Sequence, residues 1–79
     1  MNYTSLIVHI KPDSGIIAYD ITSASKKIKN IILKEGYYLV FYNTEDYKLF
    51  PDSSFLCHIL YKKSVLFIKK SVVNKCMLI

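Results

Sequence analysis

The sequence predicts a single α+β domain in which a mostly antiparallel β-sheet carries one amphipathic helix, in the order β-β-α-β-β-β. Three observations lead there. A chain of 79 residues buries only about two-thirds of its unfolded surface, too little to divide between two cores. Short runs of β-branched and aromatic residues recur along it, separated by turn-forming residues. One segment departs from that pattern and takes up a helical period. Eleven aromatics and an apolar fraction of 52% exceed what a disordered chain carries, so a folded core is expected.

"YTSLIVHI" (Tyr3 to Ile10) is a β-branched run, and "KPDSG" after it is a turn: Pro12 suits a first corner position and Gly15 accepts positive φ. "IIAYDI" then reads as a second strand, hairpinned to the first. From Asp20 the pattern changes. Thr22 or Ser23 offers an N-cap, "ASKKIKNIILKE" follows, and Gly36 stands as a C′ residue. Ala24, Ile28, Ile31 and Ile32 fall within about 100° on a helical wheel, with the lysines elsewhere. An amphipathic helix is therefore expected over residues 22 to 35.

"YYLVFYN" is too short and too aromatic for another helix and reads as a buried strand. "NTED" (Asn43 to Asp46) reads as a turn and "YKLF" as a short return strand halted by Pro51, whose "PDSS" is a loop or a cap. Residues 55 to 62 admit two readings. A strand sets Phe55, Cys57, Ile59 and Tyr61 on one face, while a helix pairs Leu56 with Ile59 and Leu60 almost as well. The strand is favoured, because the following "SVLFIKKSVV" is extended by composition. The expected core comprises Leu6, Val8, Ile10, Ile28, Ile31 and Ile32, followed by Leu39, Phe41, Leu60, Phe67 and Ile68.

Residues 60 to 73 repeat a seven-residue unit, "LYKKSVL" then "FIKKSVV". A helical reading sets Ile59, Leu66 and Val73 among lysines. An extended reading leaves apolar strands with lysine pairs at turns or edges, where lysine guards against unwanted pairing. Two copies are too few for a solenoid or a coiled coil.

Composition also bounds the class of function. The chain has no Arg, Gln or Trp and is rich in Lys, Ile and Tyr, a bias that suits an AT-rich gene such as those of many phages and viruses. No apolar run approaches the roughly 20 residues of a membrane span. The first residues lack a basic segment and a small-residue cleavage site, so a cytoplasmic protein with reduced thiols is expected, with no membrane association.

His9, Cys57, His58 and Cys76 lack the paired spacing that makes zinc ligands converge. Cys57 and His58 are strand neighbours that diverge rather than form a dyad. Glu45 and Asp46 are explained by a turn. No metal, no cofactor and no enzyme activity is expected.

Binding remains. The net charge of +5 gathers in residues 25 to 36 and 57 to 79. Lys26, Lys27, Lys29, Lys34, Lys62, Lys63, Lys69 and Lys70, interleaved with tyrosines, would suit phosphates and unpaired bases of RNA or DNA. No arginine supplies bidentate contacts, however. The favoured expectation is a small, non-catalytic protein-binding or inhibitory module, a phage- or virus-like accessory protein. It would act through a sheet edge or an apolar C-terminal surface made by Tyr61, Met77, Leu78 and Ile79, with a host factor or a second copy as partner.

Overall fold

A computed structural model of the chain describes residues 2–22, 27–51 and 54–76. Among these, six strands and two short helices follow one another as β1 (Tyr3–Ile10), β2 (Ile17–Thr22), β3 (Lys27–Ile32), β4 (Gly36–Asn43), α1 (Thr44–Leu49), β5 (Leu56–Tyr61), β6 (Ser64–Lys69) and α2 (Lys70–Cys76). The strands form one sheet in the order β1-β4-β5-β6-β2-β3, and every neighbouring pair is antiparallel. The α+β class is as the sequence predicts. The order of elements within it is different.

Residues 27–32 are not helix but the edge strand β3, paired with β2 from Ile17↔Ile32 to Ile21↔Ile28. Isoleucines at 28, 31 and 32 fit both periods. As a strand they divide, Ile31 turning to the core and Ile28 and Ile32 to solvent at 63% and 68% exposure. Thr22, one of the two expected caps, ends β2 opposite Lys27, while the other, Ser23, lies with residues 24–26 outside the described residues, and Gly36 opens β4 at φ 153° rather than ending a helix.

Nor do β1 and β2 form a hairpin. β1 runs along β4 over its full length, Tyr3↔Asn43 to Ile10↔Gly36, and β2 crosses to the far half of the sheet beside β6. The turn between them is present nonetheless, with Asp13 and Gly15 both at positive φ.

The segment expected as turn and return strand is α1. Asn43 is its N-cap, its Oδ1 accepting the Asp46 amide at 3.0 Å, and Glu45 and Asp46 lie against the positive end of the first turn. Within residues 55 to 62 the strand reading holds, as β5 over Leu56–Tyr61, and Lys62 and Lys63 make the two-residue turn into β6. The extended reading of residues 64–73 holds only to Lys69, because the chain turns into α2 at Lys70.

Both helices lie on one face of the sheet. Val8, Ile10, Val40, Cys57, Ile59, Leu66 and Ile68 point to that side and are sealed by Val73 of α2. Tyr47 of α1 stacks on Tyr42 at 4.0 Å between ring centroids, and its hydroxyl donates to Asn74 Oδ1. Of the expected core, Val8, Ile10 and Ile68 are fully enclosed and Leu6 and Ile31 pack on the cluster. Phe41 and Phe67 are half-buried, whereas Ile28, Ile32, Leu39 and Leu60 are exposed on the opposite face.

Candidate functional site: the open sheet face

The alternate side chains of the same strands build a second face that neither helix touches. Its residues are half-buried or exposed, and none is enclosed. Twelve large apolar side chains remain exposed among the described residues; apart from Leu49 at the end of α1 and Phe50 just after it, all of them belong to this face. The apolar exposure is therefore a single surface and not a scatter.

Strand register arranges this surface in rows. Ser5, Phe41, His58, Phe67, Tyr19 and Asn30 follow one another across all six strands. Phe41 stacks on His58 at 4.9 Å, and His58 meets Phe67 tilted at 5.0 Å. Beside that aromatic row stand aliphatic pairs, Ile7 with Leu39, Leu60 with Val65 and Ile21 with Ile28. His9 and Tyr37 stack at 4.5 Å at its far corner. Cross-strand pairs of these kinds stabilise the sheet that presents the surface.

A shallow groove of about 290 Å³ crosses the face between Tyr19, Ile21, Ile28, Leu56 and Lys69. Lys69 supplies the one formal charge on the face among its described side chains, its ammonium 6.0 Å from the Tyr19 ring centroid. A second hollow of about 290 Å³ lies between the β1–β2 and β3–β4 connections, lined by loop residues including Asp13, Lys34 and Glu35.

The lysines singled out from the sequence do not share one surface. Lys27 and Lys29 are exposed on β3 but alternate with Ile28, so they point to the helix side of the sheet. Lys34 and the Lys62–Lys63 turn meet at one end, where the Lys34 amide donates to the Tyr61 hydroxyl at 3.3 Å. Lys69 lies on the open face, and Lys26 falls outside the described residues.

Lys70 is a correction to the expected basic surface. It is only 8% exposed, donates from Nζ to the carbonyls of Tyr47 and of Phe50, the latter at 3.2 Å, and lies 4.2 Å from the Tyr47 ring centroid. It holds the C-terminal end of α1 and is not available to a phosphate. Tyr61, expected on a docking surface, is buried on the helix side against Tyr38. Met77, Leu78 and Ile79 lie outside the described residues.

Cys57 and His58 do diverge, the thiol into the core and the imidazole onto the open face. Burial pushes the Cys57 thiol up to about 11, against the opposing pull of the Lys70 ammonium. It also raises the half-buried Cys76 thiol, while Lys11 and Lys75 draw it down. Neither cysteine is in a disulfide. Among the described residues no three His, Cys, Asp or Glu side chains gather as metal ligands, and no helix is long and apolar enough to cross a membrane.

The sequence reasoning missed the open face because it assigned Ile28, Ile32, Leu39 and Leu60 to the core. The signal was present in runs such as "LIV" and "YYLVF", which do not alternate with polar residues as a strand with one wet face does. No family model, curated protein or solved structure matches the chain.

Proposed function

We propose that the protein is a non-catalytic binding module that docks another protein on its open sheet face. The observation that supports this is the face itself: one continuous apolar and aromatic surface, with a single formal charge among its described side chains, left uncovered by the chain's own helices. Six strands about 4.8 Å apart and about 20 Å long present on the order of 500 Å² in flat projection, before side-chain relief is added. That lies in the upper half of the range, about 300–600 Å², of the largest and often functional patch on a typical monomeric protein. Docking there would block whatever surface the partner contributes, the inhibitory mode that needs no chemistry.

A nucleic acid fits this face less well. The aromatic row offers rings, but among the described lysines a strand laid along it would meet only Lys69, while the others lie on the other side, at the turns or inside. Phosphate neutralisation and base stacking are not brought together.

Site-specific photo-crosslinking in the producing cell tests the reading. A benzophenone amino acid replacing Leu39 or Val65 on the open face gives a covalent protein adduct, and the same group replacing Lys48 on α1 gives none. Adducts to nucleic acid, or protein adducts equally abundant from position 48, would refute it.

A further inference from the structure

We infer that the protein seated on the open face is a second copy of this chain, the two sheets packed face to face with the helices on the outside. This rests on the protein-binding reading and names its partner. The first argument is the strand pattern. β1, β4 and β6 carry apolar residues on both faces, the pattern of strands covered on both sides, and the chain's own helices cover one. A sheet of the same construction is a cover of matching width.

Area gives the second argument. With its relief counted, a face of roughly 500 Å² in projection approaches the ~800 Å² per partner of a standard stable interface. All six strands contribute to it, so a small peptide or a single helix would leave much of it wet. A second copy does not, since two sheets sharing one right-handed twist align at about −30° and interdigitate across about 10 Å.

Charge gives the third. A self-complementary face must not oppose like charges across its two-fold axis. Here the Phe41, Phe67 and Tyr19 rings and the aliphatic pairs carry no charge, and Lys69 stands at the end of β6, where its ammonium can reach water beyond its stem. Lys27 and Lys29 point to the other side and remain hydrated. The groove beside Tyr19 and Ile28 is a hollow for an aliphatic side chain of the opposing sheet.

Sedimentation equilibrium on the purified full chain tests this. The expected mass is twice the 9.2 kDa of one chain. Leu60→Lys with Val65→Lys, neighbours on β5 and β6 exposed at 43% and 49%, reduces it to one chain, with folding checked by circular dichroism. Should that pair fail to fold, Ile28→Lys on the edge strand makes the same test, and Leu49→Lys on α1 leaves the dimer intact. A monomeric wild type, or a dimer undisturbed by the folded face variants, overturns the inference. A monomer whose residue 39 still cross-links to a different protein sinks the second copy alone; a monomer with no protein cross-link sinks the docking reading as well.

Discussion

Replacing Lys70 with methionine tests whether the buried ammonium ties α1 to the sheet. Methionine keeps the stem that packs beneath Tyr47 and removes only the charged head. Lost with it are the bonds to the Tyr47 and Phe50 carbonyls and the contact with the Tyr47 ring. Hydrogen bonds to a charged group contribute about 1.5–3 kcal/mol each, while keeping an ammonium out of water costs several kcal/mol. The two largely offset. Water reaches Phe50, which is half exposed, and satisfies part of what is vacated, so the net loss is about 2 kcal/mol, or roughly 10 °C in Tm for a domain of this size. The assay is thermal unfolding by circular dichroism at fixed protein concentration, since association would itself raise Tm. Lys63→Met, an exposed turn lysine, is the reference and changes stability by less than about 0.5 kcal/mol. A Lys70→Met protein as stable as the wild type, or a Lys63→Met protein equally weakened, would refute the reasoning.

Four other outcomes are expected. Asn43→Ala removes the cap on the Asp46 amide and costs about 1 kcal/mol in denaturant unfolding, whereas Asn43→Asp keeps an acceptor and costs little. The Cys57 thiol, enclosed and raised in the folded state, stays unreactive toward a disulfide reagent near neutral pH until the chain unfolds, while Cys76, half-buried, reacts first. Because folding raises the Cys57 thiol from about 9 to about 11, its contribution is full below pH 9 and is lost as pH climbs toward 11; Cys57→Val flattens that part of the stability profile. Single-stranded RNA titrated against nuclease-treated protein at low salt does not bind, and micromolar binding with a clear log-salt slope would restore the lysines as a phosphate-contacting surface.

Strands β1 and β4 are legible in the sequence because their β-branched and aromatic runs admit no competing period. β3 is not. Its isoleucines satisfy a helical stripe locally, and what makes them a strand is pairing with β2 and a place on an apolar face, both set by distant residues. α1 could have been found from Asn43 followed by Glu45 and Asp46, a cap with acidic residues in the first turn. In a six-residue helix that signal competes with an ordinary turn of the same composition. The β1–β4 pairing in place of a β1–β2 hairpin leaves no local mark, since the Pro12–Gly15 turn serves a crossing connection as well as a tight one. The open face was hidden by one assumption, that an isoleucine or leucine in a strand points to the core; residues 28, 32, 39 and 60 show where it fails.

Hydroxyl-radical footprinting of the full chain in an extract of the cell that produces it is the most direct measurement of whether the open face is covered in the working protein. Side chains at Leu39, Leu60, Val65 and Ile28 are predicted to oxidise far more slowly than Leu49 on α1, beyond what their exposures of 38% to 63% against 78% explain. Oxidation of all five in simple proportion to those exposures would mean that the face stands open to water, and would contradict the account.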